Sequence, residues 1–251
     1  MAAFAPEVIF SIGSFPITNT FINTLLVDGV LLGSVYAVNK HLSKIPGFFQ
    51  NIMEFVIQTF YDLTETIAGK NTDKIFPWFM TFFLFILIAN WSGLIPGANS
   101  IGFFEEGEHG KHLVPLLRNA TSELNVTLAL ALISLVATHV LSIRTIGFRQ
   151  YISRFVSLNP VLLFVGILEL VSEFTKVISL SFRLFGNIYA GEIVLGTISS
   201  IFAFLVPIPF LLLEVIVGLV QALVFAMLTM AFMSVLMTPH HTEGAVGAEE
   251  H

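Results

Sequence analysis

Residues 168–193 read LELVSEFTKVISLSFRLFGNIYAGEI, an apolar stretch that carries Glu169, Glu173, Lys176, Arg183, Asn187 and Glu192. An arginine inside a membrane span costs at least ~2.5–3.5 kcal/mol on insertion scales, so a charge held there points to ion or proton handling. On a helix advancing 100° per residue, with Arg183 at zero, Lys176 falls at about 20°, Glu169 and Asn187 at about 40°, and Glu173 at about 80°. These five share one face less than a quarter-turn wide, while Glu192 falls at about 180°, on the opposite side. Arg183 has no carboxylate three or four residues away on its own helix, and a guanidinium keeps its proton. Glu173 and Lys176 are three residues apart and can neutralise each other.

A second polar pair, Glu214 and Gln221, stands seven residues apart with Gly218 between them. If residues 159–198 and 204–237 form antiparallel helices, their short connection brings Glu192 and Glu214 into one pocket. Two carboxylates in a medium of low dielectric titrate at raised and separated pH values, as a proton relay requires.

The rest of the chain must hold these residues in a bilayer. Of its 251 residues 55% are hydrophobic and 11% charged, and the mean hydropathy is +0.88. Soluble domains carry about 25% charged residues, so the composition predicts an integral membrane protein. The apolar runs are long and lack the dyad alternation of outer-membrane barrels, which predicts an all-α fold. The absence of cysteine excludes disulfides and thiol chemistry. The net charge of −6 argues against nucleic-acid binding.

In order, residues 1–16 form a leader without basic residues, which argues against a cleaved targeting segment. Residues 17–39 are a first span broken only by Asp28, and Pro46-Gly47 follow its end. Residues 46–69 repeat apolar positions at helical spacing (Phe49, Ile52, Met53, Val56, Phe60, Leu63, Ile67), which predicts an amphipathic helix on the membrane surface or against a partner. Residues 75–97 are a span containing Asn90. Residues 98–121 are a polar loop, in which His109 and His112 lack the further ligands a metal would need. Residues 122–143 are another span, ending near His139. At 1.5 Å per residue, residues 159–198 reach about 60 Å against a ~30 Å hydrocarbon core, so this helix must tilt or bend. The same holds for residues 204–237, and residues 238–251 form a polar tail. The expectation is five membrane-embedded helices and one surface helix in a single domain. Lys40, Lys44, Lys70, Lys74, Arg144, Arg149 and Arg154 fall on one side, against Lys111 and Arg118 on the other. The positive-inside rule then places the N-terminus outside and the C-terminus in the cytoplasm.

The run SLSFRLFGNIYAGE (residues 179–192), with Gln221 in LVQALVFAMLT, resembles subunit a of the F-type ATP synthase, the stator part of its membrane motor. LIANWSGLIPG (residues 87–97) and SELNVTLALAL (residues 122–132) support the likeness, which covers nearly the whole chain. The resemblance implies that Arg183 faces the carboxylate on each rotor-ring c subunit, flanked by Asn187 and Gln221. It implies that Glu192 and Glu214 belong to an aqueous half-channel from the outer side, with Asn90 lining it, and that Glu169, Ser172 and Glu173 lie toward the inner half-channel. Related bacterial chains can carry histidine at the position of Glu214. The implied partners are the c ring, the peripheral-stalk b subunits and the rest of the complex, with no cofactor or metal. The implied place is a bacterial plasma membrane, or the inner or thylakoid membrane of an organelle. An antiporter built on buried Glu/Arg pairs, or a purely structural membrane protein, is the competing reading. The inverted repeats and broken helices common in antiporters are not evident, and a structural role leaves the membrane arginine unexplained.

Overall fold

Backbone N–H and C=O groups find no water in hydrocarbon, so long apolar runs close their hydrogen bonds internally as helices. The computed structural model describes residues 8–12, 15–40, 47–95, 102–107, 110–115, 118–155, 160–201 and 205–238. The start of the leader, Lys44, Pro46, Pro96-Gly97, His109 and the tail beyond Thr238 lie outside the described residues.

Among the described residues seven α-helices run in order: α1 (Asn19–Lys40), α2 (Phe48–Ala68), α3 (Thr72–Ser92), α4 (Leu124–Ile146), α5 (Phe148–Phe155), α6 (Pro160–Ile201) and α7 (Pro207–Met237). Two small antiparallel hairpins join them, β1 (Val8–Ile12) with β2 (Phe15–Thr18), and β3 (Gly102–Gly107) with β4 (Gly110–Pro115). The helical body agrees with the all-α expectation. The hairpins do not, because their strands of four to six residues are too short to show a clear alternation.

Among the described residues four helical stretches are long and apolar enough to cross a membrane: Asn19–Lys40, Gln50–Ser92, Leu124–Ile146 and Pro207–Met237. The second is no single rod. A 3-10 turn, Gly69–Asn71, folds α2 back on α3, so that the Phe60 ring packs, tilted, 5.5 Å from Phe79 and 4.8 Å from Phe83. Of the apolar stripe on α2, Phe60 and Ile67 join the core while Ile52 and Met53 stay exposed. Between α4 and α5 stands Gly147 at φ 87°, in the left-handed region that lets the chain leave one helix and begin the next at once.

The core lies where α3, α4, α6 and α7 meet. Ile75, Phe79, Phe83 and Ile86 of α3 pack with Val177, Leu180, Leu184 and Ile188 of α6 and with Ala222, Ala226, Met230 and Met233 of α7. The small alanines let the bulky rings approach, as close helix packing requires. Hydroxyls join the helices across this core. Thr127 pairs with Ser181 at 3.1 Å, Ser134 pairs with Thr229 at 2.8 Å, and Ser142 donates to the Leu236 carbonyl at 2.7 Å.

The contacts also define two ends. At one end Asn23 donates to Ser92 and to the Arg118 carbonyl, Thr20 donates to Glu123, and Trp91 donates to the Val215 carbonyl. At the other, Ser234 donates to the Ile67 carbonyl and Arg154 to the Val235 carbonyl. Since Lys176 lies over the Phe232 ring and Glu192 shares a cavity with Glu214, α6 and α7 run antiparallel.

Candidate functional site

The face of α6 that meets α4 and α7 is apolar at a regular spacing, with Val177, Leu180, Leu184 and Ile188 all buried. The reverse face is open: Ser172, Thr175, Ser179, Arg183, Gly186, Asn187 and Ala190 are exposed. Arg183 therefore projects from the outside of the bundle into a shallow groove of about 390 Å³, lined by Ser172, Lys176, Ser179, Leu228 and Phe232 among others. Among the described residues Arg183 makes no hydrogen bond or ion pair. Asn187, one turn along, is exposed in the same way.

The five residues that helix geometry groups on one face meet different surroundings. Glu169 is bound to Arg154 of α5, Nε to Oε1 at 2.5 Å. Glu173 is buried; its Oε1 accepts from Lys176 Nζ at 2.7 Å and its Oε2 lies 3.9 Å from His139 Nε2. Lys176 also caps the face of Phe232 at 4.5 Å, a cation–π contact. The helix α4 packs along one edge of this face and covers Glu173, while the other edge, with Arg183, stays open.

Toward the opposite end, Glu192 and Glu214 line one cavity of about 210 Å³ with Gly93, Leu94, Asn119, Gly196 and Ser199. One oxygen of each carboxylate, Oε2 in both, is buried without a hydrogen-bond partner among the described residues. Buried polar atoms in native proteins are ordinarily satisfied, and the cavity is several times the ~30 Å³ that a water occupies in the liquid. Two carboxylates on a space of that size can exchange a proton with water and with each other. Gly191 makes their approach possible, since a Cβ there would stand 2.8 Å from Glu214 Oε1. Gly186 meets nothing within 4 Å.

Asn90 is 1% exposed and its side chain is engaged at both ends, Nδ2 donating to the Gly218 carbonyl at 2.9 Å and Oδ1 accepting from Thr121 at 2.6 Å. It stands behind the carboxylate cavity and is not among the residues that line it. Asn119, whose Nδ2 reaches the Asn90 carbonyl, lines it instead. No spacing in the sequence links Asn119 to Glu192 or Glu214, so only the packing of the segment before α4 could reveal it. Gln221 is half-buried on α7. Asp28 is exposed on α1.

The family model for the ATP synthase A chain matches residues 20–234, and so takes in every one of these side chains. The chain belongs to that family. It is 33% identical over 235 residues to the ATP synthase subunit a of Moorella thermoacetica, an alignment that covers 94% of this chain and 98% of that protein. As a member of the subunit a family with several span-length apolar helices, the chain is a membrane protein. In this chain the open groove at Arg183 and the cavity at Glu192 and Glu214 sit on the two longest helices, α6 and α7.

Proposed function

We propose that the chain is the stator subunit of a proton-driven ATP synthase membrane sector, with Arg183 as its working charge. The observation that carries the reading is a guanidinium on an open helix face with no counter-charge among the described residues. Such a group is costly beside lipid and is satisfied by a carboxylate presented from outside, as on a rotor ring of c subunits. In this reading the deprotonated rotor carboxylate is held at Arg183, flanked by Asn187 and Gln221. A proton arriving through the Glu192–Glu214 cavity neutralises the carboxylate, and the neutral site can then turn into lipid. After almost a full rotation the proton leaves toward the end that holds Glu169, Ser172 and Glu173. The drive is about 2.3 kcal/mol per charge per 100 mV, with any pH gradient added.

The geometry supports a fifth membrane-embedded helix, α6, whose 42 residues reach about 63 Å at 1.5 Å per residue and so lie steeply tilted in a ~30 Å core. The end carrying Lys70, Lys74, Arg144, Arg149 and Arg154 faces the cytoplasm, with the N-terminus outside, in a bacterial plasma membrane. The chain has no catalytic centre of its own and serves an enzyme complex that includes the c ring and the peripheral-stalk b subunits.

The test is ATP-driven acidification of inverted vesicles carrying wild-type or Arg183→Ala complexes, with assembly judged by co-purification of the ring. Coupled pumping falls to background while the ring still co-purifies. Pumping that survives in assembled Arg183→Ala complexes would remove Arg183 from the mechanism.

A further inference from the structure

The groove at Arg183 has a titratable connection that leads away from the open face of α6 and through the bundle. Lys176 lines the groove and holds Glu173 Oε1 at 2.7 Å. Glu173, 6% exposed, turns its other oxygen to His139 Nε2 at 3.9 Å. The far side of that imidazole, Nδ1, lies 2.9 Å from the Tyr151 hydroxyl in a hydrogen bond. Tyr151 is half-buried on α5, between exposed Gln150 and exposed Ile152 and Ser153. Three helices thus contribute one line of groups, α6 with Lys176 and Glu173, α4 with His139, and α5 with Tyr151. The packed residue of α7 is Phe232, which is not titratable. The neighbouring Arg154–Glu169 pair closes on itself.

We propose that Glu173, His139 and Tyr151 form a lateral proton branch that joins the Arg183 groove to the membrane surface beside α5. The inference rests on the stator reading above and assigns that site a second outlet on its Arg144 and Arg154 end. Each member can both accept and donate a proton. Lys176 Nζ gives a proton to Glu173 Oε1 and takes another from the groove, and the Glu173 carboxyl turns and passes its proton to His139 Nε2 as the ring gives its Nδ1 proton to the Tyr151 oxygen. Tyr151 releases its own hydroxyl proton to water. One proton enters and one leaves, and the ring returns to its first tautomer before the next. The Glu173–His139 separation is longer than a hydrogen bond, and one side-chain rotation at Glu173 or His139 closes it; resting catalytic hydrogen bonds are often longer than working ones. Neither His139 nor Tyr151 touches the groove, so a loss of conduction on changing them cannot come from the rotor face.

The experiment measures proton flux driven by a potassium diffusion potential through membrane sectors in vesicles stripped of the catalytic head. The variants are His139→Gln, His139→Ala and Tyr151→Phe, each with ring co-purification measured. The branch requires a severalfold fall in flux for His139→Gln and Tyr151→Phe at wild-type assembly, and partial recovery of His139→Ala on adding imidazole. Imidazole restores a missing proton carrier and does not restore packing. Wild-type flux in assembled His139→Gln and Tyr151→Phe overturns the branch and leaves the stator reading standing. A fall in flux that imidazole does not relieve also overturns it and makes His139 a packing residue. Absence of flux in the wild type itself overturns the stator reading and the branch together. Should His139→Ala not assemble, a wild-type flux in Tyr151→Phe, which keeps the ring, still overturns the branch, and a severalfold fall supports it.

Discussion

Two stretches of α6, barely two turns apart, treat charge in opposite ways. Around residues 169–176 each charge has found a partner: Glu169 binds Arg154, and Glu173 binds Lys176 with His139 close by. At Arg183 the same helix presents a charge with no partner among the described residues. The first arrangement lowers the cost of putting ions in a dry bundle and helps to hold α4, α5 and α6 together. The second leaves a cost to be met from outside. In the proposed function that guanidinium is half of an interaction, and the open face of α6 is the side to which its partner carboxylate would come.

Breaking the paired region tests this contrast most severely. Glu173→Gln leaves Lys176 without its counter-charge, and removing one side of a buried pair costs about 3 kcal/mol, the low end of the range for buried ions, since Lys176 is 20% exposed. Thermal unfolding of the purified subunit should show that loss, and Glu173→Leu with Lys176→Met together should regain most of it. Arg183→Ala should leave thermal unfolding unchanged in the same assay. A destabilised Arg183→Ala would mean that the arginine already holds its own fold together.

A smaller effect separates the two glycines near the site. Gly191→Ala sets a Cβ 2.8 Å from Glu214 Oε1, the free end of a flexible side chain, and overpacking of this kind costs about 1 kcal/mol, the low end of its range. The carboxylate must shift, so both stability and coupled pumping should drop. Gly186→Ala meets nothing within 4 Å and should stabilise the isolated subunit slightly, by up to ~1 kcal/mol from helix propensity. If the rotor packs on this face, the same substitution should still slow pumping. Equal pumping in Gly186→Ala and wild type would mean that the rotor does not approach there.

The smallest effect is at the surface. Burial, with Glu173 and then Glu169 adding to it, raises the pKa of the Tyr151 phenol above its ordinary value of 10.0. A raised folded-state value favours the protonated form. Its contribution is therefore complete below about pH 10 and is lost as pH rises through the folded-state value. The stability difference between wild type and Tyr151→Phe should narrow over that alkaline window and stay constant below it. A difference that persists above it would place Tyr151 in an ordinary aqueous setting.

Composition and hydropathy alone determined that this is a helical membrane protein, because a bilayer permits few other ways to satisfy a backbone. The RLFGN-x-YAGE run and Gln221 carried the family, since they are local strings that require no fold to read. The pairing of Glu192 with Glu214 could be anticipated, because a short connection forces two long helices to lie side by side. Helix geometry set Glu173 within about 80° of Arg183 on α6, but only the packing of α4 decided that one is buried and the other exposed. Four further relations were decided by tertiary structure alone: Arg154 with Glu169, His139 with Glu173, Asn119 at the carboxylate cavity and Asn90 bound behind it. Each joins residues on different elements, across a break that no periodicity spans. Sequence spacing reports what lies along one helix, whereas burial and partnership depend on which neighbour covers that helix and along which edge.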